Sequence, residues 1–295
     1  MSARHSLRYR VPQRSIWIAF LGVAIGLYVL LPFLWLVISS FMSEVEVLAV
    51  PPHWIPEHPT TVAYEYLFNF TAERPRIGAQ AISEVVPSMR NSALVAVSVA
   101  MLNLLLGTPA AYALARLHFR GNQTLLVLYL VTRMVPYVAL MIPLYLVIRA
   151  ANLLDSRLSL IATYTAFTLP FSIWILKSYF QTIPRDLEDA ARVDRCGWLR
   201  MMLHVFLPVA TPGLVSAATF AFMYSWNEFL FALLFTSTLA SKTVTVAVAG
   251  FVSDLALPRT LVAAAGVLAA LPPLAGALLV QRLIMQGLVS GSVKG

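Results

Sequence analysis

The chain has 295 residues, 59% of them hydrophobic and 12% charged, with a formal net charge of +8. This is far more apolar and far less charged than a soluble domain, and it marks an integral membrane protein. The positive charge is spread over short connections with no soluble domain to gather it, which excludes a nucleic-acid-binding surface, and the single cysteine, Cys196, excludes an internal disulfide and a cysteine-based metal site.

In chain order, Arg4, Arg8, Arg10 and Arg14 precede a first apolar run, Ile16 to Ser39. It exceeds the h-region of about 7 to 15 residues of a signal peptide, and no small-x-small cleavage site follows, so it reads as a retained helix. A polar, Pro-rich stretch over residues 44–86 has PPHWIPEHP near its start and carries Tyr64, Tyr66, Phe68 and Phe70 further on. Its prolines favour extended backbone, and its aromatic run a short helix or interfacial segment at the outer membrane surface. Five further apolar windows follow: Ser92 to Leu114, Thr124 to Ile148, Ser159 to Phe180, Val205 to Phe235 and Leu261 to Ile284. Each can cross a hydrocarbon core of about 30 Å.

The expected fold is therefore all-α, a polytopic membrane protein with six transmembrane helices and both termini on one side. Thirteen Lys and Arg residues fall at the termini, after span two and between spans four and five, against seven on the opposite face. Cytoplasmic loops are the ones enriched in these residues, so the termini are placed inside. Prolines 32, 109, 136, 143, 170, 208, 212, 272 and 273 fall in or beside the spans, as in a bundle that changes shape, and no internal repeat is evident.

Between spans four and five lies a charged island, IPRDLEDAARVDRCGWLRMMLHVFLP, Ile183 to Pro208. Asp186 can cap a helix whose first turn holds Glu188 and Asp189, a favourable placement of negative charge at the positive end of the helix dipole. Ala190 and Ala191 add no bulk, and Asp189, Arg192 and Asp194 offer charges that fix a register. These residues suit either a lever seated in a partner's groove or a solvated linker helix. Elsewhere, Arg133 and Glu228 fall inside apolar runs, where an ionised side chain costs roughly 2.5 kcal/mol or more unless paired or hydrated. With Trp226 and Asn227 they suit a polar pathway for a hydroxyl-rich solute, or ties between helices. No GxxxxGK[ST] loop and no HExxH pair occurs, so no phosphate-binding loop or zinc site of those types is present.

The island's Asp189-Ala190-Ala191, then Asp194, then Val205, Leu207 and Pro208, resembles the EAA loop of the membrane subunits of binding-protein-dependent ABC importers. The resemblance extends over nearly the whole chain: NSALVAVSVAMLNLLLGTPAAYALARLHFRG (Asn91 to Gly121), VPYVALMIPLYLV, FTLPFSIWILKSYFQTIP, SWNEFLFALL and the terminal QGLVSGSVKG look like carbohydrate-importer permeases, in particular the shorter permease of maltose-type transporters. It implies a single permease domain over 1–295, with an extracytoplasmic segment near 44–86 and a cytoplasmic coupling loop near 183–204. It further implies a second homologous permease, two ATP-binding subunits that hold ATP and Mg, an extracytoplasmic solute-binding protein and a prokaryotic plasma membrane. The chain itself would hold no cofactor and catalyse nothing. Glu188, Asp189, Ala190, Ala191, Asp194 and Gly197 are then ATPase-docking residues.

Two departures stand out. The usual Glu is Asp189, and the usual Gly four residues after the second Ala is Arg195, so the bend it would host is expected at Gly197 instead. The alternatives are a permease for glycerol phosphate or another non-sugar solute, favoured by an outward-facing basic pocket, and a membrane-embedded lipid-modifying enzyme, which needs convergent carboxylates or histidines at one interface.

Overall fold

The computed structural model describes residues 13–68, 79–117, 119–131, 134–253 and 257–292. Among them every regular element is helical: α1 (Gln13–Ser40), α2 (Glu44–Val47), α3 (Val62–Phe68), α4 (Ala79–Arg116), α5 (Asn122–Val131), α6 (Tyr137–Ala150), α7 (Arg157–Phe180), α8 (Asp186–Val193), α9 (Trp198–Met201), a π-helical turn (Met202–Phe206), α10 (Leu207–Val209), α11 (Thr211–Asn227), α12 (Leu230–Phe235), α13 (Val244–Ser253) and α14 (Arg259–Ser292).

The centre of the molecule is the packing of α4, α7 and α11 against one another. Small residues set the spacing: Gly107 on α4 faces Leu169, Ile173 and Leu176 of α7, the nearest carbon 3.6 Å from where a Cβ would stand. Gly213 at the start of α11 is closer still, since a Cβ there would lie 2.6 Å from Cγ of Tyr179. In the same interior the Asn103 amide donates to Thr168 Oγ1 and to the Val99 carbonyl, both at 2.8 Å, which pairs both of its N–H groups where lipid offers them no partner. α1 packs along α14, with Gly266 against Leu36, while the stretch of α1 from Trp17 to Leu34 is almost wholly exposed on the isolated chain.

Four described helices are long and apolar enough to cross a membrane, within Trp17–Ser40, Ala81–Arg116, Arg157–Phe180 and Arg259–Leu278, and a bent pair raises this to five. The chain is a multi-pass membrane protein, and two of the six expected windows are broken. The third, Thr124 to Ile148, is split into α5 and α6, because Pro136 stands in extended conformation before α6 (φ −63°, ψ 129°) and its ring cannot continue a helix. The fifth, Val205 to Phe235, is broken twice. Trp198–Val209 and Thr211–Asn227 meet at 81°, where Pro208 and Pro212 flank the bend and each lack a backbone donor, and the preceding turn widens into a π-helix. The second break falls at Glu228, whose backbone is extended (ψ 132°) between α11 and α12.

At the end of the bundle where α4 and α7 begin, α3 fulfils the expectation of a short aromatic helix, and buries Ala63 and Leu67 against Ile82, Val85, Phe251 and Leu261. Phe70 lies outside the described residues. Carboxylates fasten this end: Glu44 accepts from the backbone N–H groups of Arg259 and Thr260 at the start of α14, and Glu84 pairs with Lys242 at 2.7 Å.

Candidate functional site

α8 lies at the other end of the bundle, beyond the C-terminus of α7. Asp186 is its first helical residue rather than its cap, because Arg185 holds the N-cap position without a side-chain hydrogen bond. The acidic residues of the first turn do sit at the positive end of the dipole, as their order suggests. Leu187, Asp189, Ala190, Arg192, Val193 and Asp194 face outward, Val193 at 82% exposure, and Arg192 meets Asp189 loosely at 3.5 Å.

Glu188 does not share that face. It is 5% exposed: its Oε1 lies 2.6 Å from Nε of Arg116, and its Oε2 accepts from the Tyr112 hydroxyl at 3.0 Å. Arg116 also donates to the Ile183 carbonyl at 2.7 Å and lies over the Phe206 ring. The carboxylates of the island are thus not all on one exposed helix face, and the placing of Glu188 on a docking surface is corrected: a turn of 100° per residue puts 188 opposite 190 and 193, against the ends of α4 and the π-turn. Ala191 is likewise buried, in the cluster formed with Tyr112, Phe180, Met202 and Phe206. Its small side chain lets α8 settle onto its own bundle.

The expected bend at Gly197 is also corrected. Arg195 itself takes the left-handed conformation, φ 52°, while Gly197 is extended at φ −62° and ψ 154°. The Cys196 N–H bonds the Ala191 carbonyl and the Arg195 N–H the Arg192 carbonyl, each at 3.0 Å, the paired bonds of a Schellman ending. Helix termination by two bonds outweighs the cost of a side chain at positive φ.

Around the second break, Trp226 is 3% exposed, donates from Nε1 to the Ala269 carbonyl at 3.0 Å and stacks on Phe222. Its ring is therefore spent on packing α11 against α14. Asn227 is exposed and turns back to the Met223 carbonyl. Glu228 caps α12: its carboxylate accepts from the N–H groups of Phe231 and Ala232 and from the Tyr164 hydroxyl at 2.5 Å. Arg133 lies outside the described residues.

Asp155, between α6 and α7, makes a comparable hub at the end opposite α8. It accepts from the backbone of Ser237 and Thr238 and from the hydroxyls of Thr238 and Ser241, and its own N–H donates to the Phe235 carbonyl. Partial burial pushes its carboxyl up, but these hydrogen bonds together outweigh it and hold the group well below the usual carboxylate range.

Sequence reasoning missed Tyr112, Arg116, Tyr164 and Asp155. Arg116 reads as a topology charge at a span end, and nothing local marks it as the partner of Glu188.

A family model described as the inner membrane component of binding-protein-dependent transport systems matches residues 103–289. The sulfoquinovosyl glycerol transport system permease protein SmoH of Agrobacterium fabrum is 34% identical over 266 residues, covering 90% of this chain and 89% of that one. The trehalose/maltose transport system permease protein MalG of Thermococcus litoralis is 31% identical over 275 residues, covering 93% and 95%. In fold, the chain matches one from a bacterial ABC transporter that imports the acidic polysaccharide alginate, with a TM-score of 0.75 at 21% identity over 93% of this chain and 98% of the other. With this architecture and a family match over more than half its length, the chain belongs to the inner membrane components of binding-protein-dependent transport systems.

Proposed function

We propose that the chain is the permease subunit of an ATP-driven importer of a sugar or oligosaccharide, forming half of the translocation pathway with a second, homologous permease. The trehalose/maltose relative supports the solute class. Two ATP-binding subunits dock on α8 inside the cell, an extracytoplasmic binding protein delivers solute at the end carrying α2 and α3, and both termini are cytoplasmic. ATP is hydrolysed in the partner subunits.

The observation that carries this reading is the two-sided character of α8. One face is anchored by the buried Glu188–Arg116 pair, and the other leaves Asp189, Ala190, Val193 and Asp194 uncovered. A linker helix needs no buried ion pair beneath it, whereas a lever does: closure of the ATPases would move α8, and the pair would carry that displacement into α4. At the second break, Asn227 faces the pathway while Glu228 holds the shape of the break. Asp189→Lys reverses a charge on the docking face and touches no buried group, so the ATPase subunits should fall away or lose solute-stimulated hydrolysis while the permease stays inserted. Normal co-purification with normal stimulation would sink the assignment of α8.

One observation favours an acidic solute as a second reading. Arg90 and Arg157 line a cavity of about 440 Å³ at the end opposite α8, and the sulfoquinovosyl glycerol relative transports an anionic glycoside by its name. Uptake of a sulfonated or phosphorylated glycerol glycoside that is abolished in Arg90→Gln, with neutral disaccharides not taken up at all, would select this reading.

A further inference from the structure

A cavity of about 600 Å³ lies at the α8 end between the C-termini of α4 and α7 and the start of α5. Its lining joins three cations, Arg120, Lys177 and Arg185, to apolar Leu114, Leu117 and Phe119, and contains no carboxylate. None of the three cations is in an ion pair among the described residues, whose pairs involve His53, Arg116, Arg192 and Lys242. Lys177 in the last turn of α7 complements that helix's dipole, but Arg185 stands at the N-cap of α8, where the dipole disfavours a cation. The wall is held in shape: the Asn122 amide clamps the Leu114 and Leu117 carbonyls at 2.9 and 3.2 Å, and Gly121 takes the turn at φ 93°. The cavity sits at the ends of two membrane-spanning helices, with half-exposed Leu117 and Phe119 beside the cations. An amphiphile matches such a border better than a water-soluble anion does.

We infer that this cavity binds the headgroup of an anionic phospholipid, its phosphate among Arg120, Lys177 and Arg185 and its glycerol and upper chains against Leu114, Leu117 and Phe119. The inference rests on the proposed orientation only for the leaflet that supplies the lipid, the cytoplasmic one, whose anionic lipids concentrate at basic juxtamembrane sites. Such a lipid would brace the turn after α4 next to the coupling helix.

The full chain in detergent, titrated with phosphatidylglycerol or phosphatidylcholine and read by native mass spectrometry, tests this without any ATPase subunit, so its outcome is separate from that of Asp189→Lys. Phosphatidylglycerol should bind in preference to phosphatidylcholine, and Arg120→Gln, Lys177→Gln and Arg185→Gln should weaken it by about five-fold each and roughly a hundred-fold together. Lys177→Arg should bind as the parent does. If the triple variant does not fold, exposed Arg120 and Arg185 singly carry the test. Unchanged phosphatidylglycerol binding in the variants, or equal binding of phosphatidylcholine, overturns the site. Displacement of the lipid by inorganic phosphate at matching concentration would show a free-anion site and overturn the lipid as its ligand.

Discussion

At the scale of single residues, the end of α8 shows how a costly conformation persists when hydrogen bonds determine it. Arg195 at φ 52° carries a strain of roughly 1 to 2 kcal/mol that glycine would not. Arg195→Gly should therefore stabilise the chain by about 1 kcal/mol and leave ATPase docking intact, as read by thermal melting in detergent and by co-purification. Gly197→Val should be tolerated, since its backbone is extended and nothing lies within 4 Å of an added Cβ. A larger melting loss in Gly197→Val than in Arg195→Val would contradict this. The Glu188 carboxylate gives the opposite case: Arg116→Met leaves it buried without its cation, for a destabilisation of about 3 to 5 kcal/mol, whereas the double change Arg116→Met with Glu188→Leu should recover most of the stability. If the lever reading holds, the double variant melts normally, yet the ATPase subunits assembled with it hydrolyse ATP without response to solute, a split that a merely structural pair would not produce.

Among elements, the broken fifth span depends on close approach at one end and a carboxylate at the other. Gly213→Ala would drive a methyl group into the base of the Tyr179 ring, which cannot swing away as a flexible tip would, and should cost about 1 to 3 kcal/mol. Gly107→Ala, with only ordinary contacts at 3.6 Å, should cost clearly less in the same melting assay. At the second break, Glu228→Ala removes the cap of α12 and the partner of Tyr164 together, while Glu228→Gln keeps an acceptor for the backbone N–H groups. Transport should accordingly fall much further in the alanine variant than in the glutamine one, and equal losses would point to the charge itself as the transported solute's contact.

Across the whole molecule, the two ends are organised by carboxylates with different exposure. At the α8 end one pair is buried; at the opposite end Asp155, Glu44 and Glu84 tie loops and helix starts in partial contact with solvent. Because the folded-state pKa of Asp155 is lowered, its contribution to stability is fully present above the ordinary value of 3.8 and is lost only as pH falls below that toward the folded value. The parent and Asp155→Asn should thus differ in melting temperature by a constant amount between pH 5 and pH 7, and the gap should narrow only below about pH 4. A gap that closes near neutrality would mean that another group controls this end.

The membrane class, the all-helical fold and the position of α8 were legible in the residues because each rests on local signals: apolar runs long enough for a bilayer, and an acidic turn opening a short helix. The short aromatic helix α3 was legible for the same reason. The inward face of α8 was not, because Tyr112 is 76 residues away from Glu188 and its hydroxyl acts on that carboxylate only once α4 and α7 have packed. Nor was the break at Glu228, and the prolines beside the other two breaks marked disturbed spans without the direction of the bend. Hydropathy sums along the chain and is blind to direction, whereas a bend survives only where other helices supply partners for the freed backbone groups. Arg195 shows the same limit at the smallest scale: a glycine two residues on is the better candidate by intrinsic preference, and the carbonyls of Ala191 and Arg192 overrule it.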